Sequence, residues 1–311
     1  MILPGNIFLD KKIKFKNLIH IGTLLVFMNV LIYLCFTLPE FVNDQKIYKL
    51  LNQNKTLRIN TLKNMYDQTV DPLIQSKVIG LSFLKDKLFW SRSNHFPFQG
   101  DAVEIEKNKK ILTEIQNMYK NSSQFQFGLG HEATTPGAWL TYQFTHAGFM
   151  HLIMNMIFLI LIVNILITRV DAEFIFLVYI LGGLGAGISY LFFSGSNEIS
   201  MVGASGSLCA LIAFLSTTEH KKNIQWSYFL SPMKNGYGII YMPAFLLFPI
   251  YLLSDFTTTL YHSNGIDQAI AHSAHIGGAL TGFLMGLVDL FWSKTSAHRV
   301  FSDNDGLHKL L

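Results

Sequence analysis

The chain has 311 residues, of which 50% are hydrophobic and only 14% are charged, and its formal net charge is +4. A soluble domain would carry about a quarter charged residues, so this composition excludes an ordinary soluble protein and indicates a polytopic membrane protein. The basic residues do not form one patch, so no nucleic acid partner is expected, and the two cysteines, Cys35 and Cys209, lie in apolar blocks and exclude a disulfide framework.

Six apolar blocks along the chain are each close to the ~20 residues that a transmembrane helix needs. They predict an all-α polytopic membrane protein with spans at 17–37, 146–168, 172–193, 203–219, 237–256 and 268–292. We expect a cytoplasmic N-terminal segment 1–16, a first helix 17–37, a long extracytoplasmic loop or subdomain 38–145, a five-helix membrane core 146–292 and a cytoplasmic tail 293–311. The long loop contains short amphipathic stretches at 46–51 and 105–119.

Lysine and arginine residues predict the orientation of these spans. The short loops 194–202 and 257–267 have none, so the positive-inside rule places both termini in the cytoplasm and the long loop outside. The first span is followed by no small-residue cleavage site, so we expect an uncleaved anchor. The basic residues of the cytoplasmic side are Lys11, Lys12, Lys14, Lys16, Arg169, Lys221, Lys222, Lys234, Lys294, Arg299 and Lys309.

Glycines and prolines within the spans predict how the helices pack. Pro243 and Pro249 loosen the fifth span, either as part of a gate or as a kink that packing absorbs. Glycines four residues apart predict close helix contacts, and they are Gly183 and Gly187 in the third span and Gly278, Gly282 and Gly286 in the sixth.

Polar side chains within spans are costly in a membrane and usually functional. Ser205 begins the fourth span, His275 lies in the sixth, and His151 and Asn155 are four residues apart on one face of the second. The predicted orientation places the starts of these three spans on the outer side. We therefore expect the four side chains to lie at one depth, a turn or two below the outer surface.

This set of residues can support nucleophilic catalysis. A serine hydroxyl becomes a good nucleophile when a base removes its proton, and histidine does so near neutral pH. The backbone N–H of Ser205 and the side chains of His151 and Asn155 can donate to an oxyanion, at ~3 kcal/mol for each donor. Gly203 and Gly206 allow a backbone to approach closely. The short motif around Ser205 is a weak signal alone, so the hypothesis depends on the shared depth.

With these residues assembled, the sequence resembles the rhomboid intramembrane proteases over about 137–286. The matching motifs are His146 with His151-x-x-x-Asn155, Gly203-x-Ser205-Gly206, and Ala274-His275-x-x-Gly278-x-x-x-Gly282. The resemblance implies a six-helix rhomboid bundle and a Ser205–His275 dyad without a third acidic member, in a water-filled cavity open to the outside. It implies that His151 and Asn155 assist the Ser205 amide in the oxyanion hole.

The resemblance also implies partners and moving parts. Substrates would be single-span membrane proteins cleaved in or near their transmembrane segment, with the fifth span and loop 257–267 as gate and cap. Many family members carry an aromatic residue where this chain has Cys209, and that ring stacks on the catalytic histidine. Leu140 follows Trp139 where the family commonly has arginine, and the region 38–130 is longer than in compact members.

Other polar residues receive structural interpretations. We expect His146 to hydrogen-bond the loop above the site, and His272 to be an interfacial histidine, although it is also placed to line a water path. Asp255 and Asp267 lie too near the outer surface to join the dyad. His131-Glu132 begins like a zinc-protease helix but lacks the second histidine, so no metal and no cofactor are predicted.

The expected location is a bacterial inner (plasma) membrane, with the lipid bilayer and single-span substrates as partners. Two alternatives stay open. A non-proteolytic relative would bind transmembrane helices without cleaving them, but loss of Ser205 or His275 would signal it, and both are present. A transporter would show inverted repeats with broken helices, which the sequence lacks.

Overall fold

The structure is a computed structural model that describes residues 2–4, 21–40, 45–47, 49–50, 101–130, 135–194, 200–229, 237–251 and 266–307. The helices are α1 Ile21–Ile32, α2 Ala102–Lys120, α3 Ser123–Phe127, α4 Ala138–Thr141, α5 Phe149–Leu166, α6 Ala172–Ser194, α7 Ser205–Thr218, α8 at 247–251 and α9 Ile266–Leu307. A π-helical turn Tyr33–Thr37 extends α1, and 3-10 turns follow α4 at Tyr142–Phe144 and precede α8 at Ala244–Leu246. The strands are β1 Ile2–Pro4, β2 Asn223–Phe229 and β3 Tyr237–Pro243.

Within the described residues, three helices are long and apolar enough to cross a membrane, namely Phe149–Leu166, Ala172–Phe193 and His272–Trp292. Two shorter apolar helical segments are Ile21–Thr37 and Ser205–Thr218. The protein is therefore a membrane protein, and α5 and α6 agree with the predicted spans to within about three residues. Two boundaries differ: α7 has 14 residues where 203–219 was predicted, and α9 continues as helix through the predicted tail to Leu307.

The prediction of an all-α fold is wrong in one region, where three strands form an antiparallel sheet in the order β1-β2-β3. Strand β3 occupies the first seven residues of the predicted fifth span 237–256, and 252–256 lie outside the described residues. Hydropathy cannot distinguish an apolar strand from a helix, whereas β-branched and aromatic residues such as Ile239, Ile240 and Tyr241 favour the strand. Pro243 ends the strand because proline has no N–H to donate.

Helix α7 lies at the centre of the bundle, with its side chains from Gly206 to Ser216 all buried. It packs against α6 and α9 through small residues. A Cβ on Gly278 would overlap the backbone of Gly206, and one on Gly282 would overlap the backbone of Ala210. The predicted glycine face of the sixth span is thus a contact with α7 in which the two backbones nearly touch.

The glycines of the third span were predicted to make close helix contacts, and they pack against segments outside the membrane helices. A Cβ on Gly183 would meet the side chain of Gln143, and a Cβ on Gly187 would meet Leu129 and Trp139. These residues belong to the segments that precede α5, not to another membrane helix. Gly183 and Gly187 therefore make room for the chain that enters the second span.

The described part of the long loop docks on the end of the first helix. The amphipathic stretch 105–119 is helical, as part of α2. Thr37 Oγ1 lies 3.1 Å from Ser123 Oγ, and the rings of Phe36 and Phe127 pack edge to face with centroids 5.1 Å apart. These contacts hold the α2–α3 segment against the end of the first helix.

The opposite end of the bundle carries the basic turns. Glu219 Oε2 pairs with Arg169 Nη1 at 2.8 Å and with Lys222 Nζ at 2.8 Å, and only about a tenth of the Glu219 side chain is exposed. Strands β2 and β3 begin and end beside these residues, since Ala244 N–H donates to Lys222 O at 2.9 Å. The bundle thus has one end with a sheet and an ion-pair cluster.

Candidate active site

The segment that leads into α7 is held by backbone hydrogen bonds. Leu129 and Met201 form an isolated antiparallel bridge, with N···O distances of 2.9 and 2.7 Å. Gly203 N–H then donates to Tyr142 O at 2.9 Å. Because the chain is fixed twice within three residues, the start of α7 has a defined position relative to the segment before α5.

Gly203 adopts a backbone conformation that favours glycine, with φ of 129°. A side chain here would also be placed against the imidazole of His151, at 2.8 Å from Cε1 and 3.0 Å from Nε2. The position therefore needs glycine for its backbone angle and for the ring beside it. His151 of α5 lies directly next to the turn that presents Ser205.

Ser205 is the first residue of α7, and His275 lies on the facing side of α9. His275 Nε2 is 2.8 Å from Ser205 Oγ, which is hydrogen-bond distance. His275 is 8% exposed, so the pair is largely shielded by protein. The structure thus brings together the two residues, 70 positions apart, in the geometry that a serine nucleophile and its base require.

Asn155 lies one turn after His151, and its Nδ2 donates to His151 O at 2.9 Å. Both side chains line the same cavity as Ser205 and His275, and the volume of this cavity is about 490 Å³. The amide of Asn155 is therefore beside the site and is bonded to its own helix through one of its two N–H groups. The structure brings all four predicted polar residues to one cavity.

Gly206 and Cys209 lie on the buried side of α7. A Cβ on Gly206 would overlap the side chain of Ala186, so the glycine allows α6 and α7 to pack closely. Cys209 is fully buried and forms a small cluster with Ala213 and Ala279. Gly206 also lines the cavity, so its backbone is available to a ligand there.

His146 is fully buried beside the site, with its ring centroid 5.2 Å from that of His151. Neither of its nitrogens has a hydrogen-bond partner among the described residues, so the predicted bond to the loop above the site is not seen there. Burial, together with the neighbouring His151, lowers the pKa of His146 to about 3. The ring is therefore neutral at physiological pH.

The motifs did not single out Gln143, which is a fully buried polar junction. Its Oε1 accepts from Ser207 Oγ at 3.1 Å, its Nε2 donates to Trp139 O at 3.1 Å, and its backbone oxygen accepts from Tyr179 at 3.1 Å. These bonds join α4, α6 and α7 just below the site. A glutamine in a run of apolar and aromatic residues is the only sequence signal for this role.

The remaining polar candidates are partly outside the described residues. His131, Glu132 and Asp255 lie outside them, and nothing is described of the Asp267 side chain. His272 lies one turn before His275, and the two ring centroids are 6.3 Å apart. His272 is thus a neighbour of the candidate base, and the sequence-based interpretation of it as interfacial stays a prediction.

Comparison with known proteins places this site in a family. A family model described as the rhomboid domain matches residues 135–291, about half of the chain. RHOMBOID-like protein 5 of Arabidopsis thaliana is 30% identical over 147 residues, which are 46% of this chain and 40% of that protein. RHOMBOID-like protein 6, mitochondrial, of the same plant is 32% identical over 154 residues, or 48% of this chain and 42% of that protein. The chain thus spans less than half the length of these relatives.

Proposed function

The chain belongs to the rhomboid family, and on that premise we propose that it is an intramembrane serine endopeptidase. Its substrates would be single-span membrane proteins, cleaved in or near their transmembrane segment. The single observation that carries this proposal is the 2.8 Å distance between Ser205 Oγ and His275 Nε2. A serine hydroxyl that faces an unprotonated imidazole is the arrangement that acyl transfer needs.

The proposed reaction begins when His275 Nε2 takes the Ser205 proton and Oγ attacks the carbonyl carbon of the scissile bond. The imidazolium then donates that proton to the leaving amine, which departs and leaves an acyl-serine. The same imidazole then takes a proton from water, the hydroxide attacks the carbonyl carbon of the ester, and the imidazolium returns the proton to Ser205 Oγ as the carboxylic acid product leaves. His275 thus takes up and passes on one proton in each half-reaction, so the cycle needs no acidic residue as a proton carrier.

The oxyanion formed in both half-reactions lies next to the N-terminus of α7. The helix hydrogen bonds begin at Leu208 N–H, which donates to Ala204 O at 2.9 Å. The N–H groups of Ser205, Gly206 and Ser207 therefore precede the first helix bond, at the positive end of the helix dipole. The side chains of His151 and Asn155 would add donors, Asn155 through the second N–H of its amide.

The length of α7 supports a reaction site within the membrane. Its 14 residues correspond to about 21 Å, whereas the hydrocarbon layer is about 30 Å thick. With the ion-pair end of α7 at one surface, Ser205 would lie about 9 Å below the other surface, by the same helix rise. The basic residues lie at the end opposite to Ser205, which supports cytoplasmic termini and an extracytoplasmic opening.

Two finer parts of the proposal rest on the sequence alone. The six predicted spans would form a six-helix bundle, with residues 38–145 as its extracytoplasmic loop. The bacterial plasma membrane would be its location. Epitope tags placed at 1–16 and within 38–145, probed in intact and permeabilised cells, test the topology: the first should need permeabilisation and the second should not.

A serine-directed fluorophosphonate probe tests the chemistry. Wild-type protein in detergent micelles should be labelled, and Ser205→Ala should not, because the probe reacts only with an activated serine. Ser207→Ala is a matched control, since Ser207 lies two residues away and donates to Gln143 instead. Equal labelling of wild type and Ser205→Ala, or none of either, would contradict the protease and favour a non-cleaving binder of transmembrane helices.

A further inference from the structure

An aromatic side chain from the fifth apolar block contacts the proposed base, although no motif singles it out. Tyr251 belongs to α8, and its ring centroid lies 6.3 Å from that of His275 with the planes at 69°. This edge-to-face arrangement is within the range where ring pairs attract each other. Tyr251 also lines the same cavity as Ser205.

The helices that carry the dyad present small side chains next to it. Cys209 lies one turn after Ser205 on α7, and Ala279 lies one turn after His275 on α9. With Ala213 they form a buried cluster, and the side chains that pack against this cluster are Phe248 and Tyr251 of α8. The small side chain of Cys209 is therefore covered by larger side chains from another helix, α8.

A second ring also packs against Tyr251. Phe158 of α5 contacts it with centroids 5.6 Å apart and planes at 87°. Tyr251 thus contacts a ring on α5, the imidazole on α9 and the cluster of small residues on α7 and α9. Three helices meet at this one side chain, so its position is defined by packing rather than by a single contact.

We infer that Tyr251 is a positioning residue that holds the imidazole of His275 in the orientation where Nε2 faces Ser205 Oγ. This role rests on the proposed hydrolase function. Helices α7 and α9 fix the distance between the two backbones, but an imidazole can still rotate about its side-chain bonds. Because the restraining ring belongs to α8, a displacement of α8 changes the orientation of the base without moving the backbones of the dyad.

The test measures kcat and KM for one single-span reporter in detergent. Tyr251→Ala should lower kcat about 10- to 100-fold, since a misplacement of about 1 Å costs up to ~10²-fold, with KM within about twofold. Tyr251→Phe keeps the ring and should retain near wild-type kcat. Phe248→Ala is the matched control, because Phe248 packs on the same cluster from the same helix and should leave kcat within about threefold.

A compensating substitution separates ring position from general damage. Adding Cys209→Tyr to Tyr251→Ala supplies a ring from α7 and should recover at least about tenfold in kcat, on the same estimate of misplacement. Thermal unfolding of each variant checks that it is folded. The inference is overturned by Tyr251→Ala with normal kcat, by Tyr251→Phe as impaired as Tyr251→Ala, or by an equal loss in Phe248→Ala. An inactive wild type would overturn the proposed function instead.

Discussion

The helix pair that carries Ser205 and His275 is built differently from the fifth apolar block beside it. In α7 and α9 the glycines of one helix face the backbone of the other with no room for a Cβ. Among the described residues, the fifth block begins as strand β3 and reaches the site through Tyr251 of α8. The distance between Ser205 and His275 thus depends on backbone contacts, whereas the surroundings of His275 depend on a ring from α8.

Asn155 sharpens this comparison, because it belongs to neither region and its proposed role is only to donate to the oxyanion. Asn155→Ala should lower kcat by about 10²-fold, the usual cost of one oxyanion donor, and should change the thermal unfolding temperature little. Asn164→Ala, the same change on the same helix α5, is the control and should leave kcat unchanged. If Asn155→Ala turned over reporter as fast as Asn164→Ala, Asn155 would have no part in the oxyanion hole.

Gly278→Ala would break the backbone contact itself. Its new methyl group would overlap the backbone of Gly206, so α7 and α9 must separate. We expect a loss of about 1–3 kcal/mol in stability, as for other overpacked cores, together with a fall in kcat as the Ser205–His275 hydrogen bond lengthens.

The control for Gly278→Ala is Gly137→Ala, where a Cβ would meet only Thr135 Oγ1 at 3.9 Å. Thermal unfolding and reporter cleavage should leave that variant near wild type. If Gly278→Ala unfolded at the same temperature and cleaved as well as Gly137→Ala, the distance within the dyad would not depend on this contact.

His146 gives a smaller effect, which depends on pH. Its pKa of about 3 in the folded protein is below the ~6.5 of an unfolded histidine, so the unfolded chain binds more protons at acidic pH. The titration of His146 therefore costs no stability above pH ~6.5, and stability is lost as the pH falls from there toward ~3. At pH ~5.5 the loss is about 1 kcal/mol on this basis.

His146→Gln removes that titration and should flatten the pH dependence. The unfolding temperatures of wild type and variant, each measured at pH ~7.5 and ~5.5, should show a larger fall for wild type. Equal falls would mean that the His146 ring is not held neutral by burial.

The helical framework could be predicted from hydropathy where a helix is long and apolar throughout. This is why α5 and α6 agree with the predicted spans. The strand at Tyr237–Pro243 was missed because it begins an apolar block as long as a membrane helix, and hydropathy does not distinguish an apolar strand from a helix. The spacing of the glycines of α6 likewise shows that something packs closely but not what it is.

The sequence was enough to predict those residues of the candidate site that are polar and lie within a predicted membrane span. Ser205, His275, His151 and Asn155 stand out for that reason, and the structure brings them to one cavity. Tyr251 and Gln143 could not be recognised in the same way. Tyr251 is one aromatic residue among many, and its contact with His275 depends on how α8 packs against α5, α7 and α9.

The most direct test of the central claim is cleavage of a panel of single-span reporters by wild type, Ser205→Ala and His275→Ala, purified and assayed at equal concentration. A dyad acts as a unit, so each substitution should remove essentially all turnover, a loss on the order of 10⁴-fold or more. Both variants should keep the unfolding temperature of wild type to within a few degrees, because the close backbone packing of α7 and α9 at Gly278 and Gly282 is unchanged. Equal turnover by all three proteins would contradict the assignment of Ser205 as nucleophile and His275 as base.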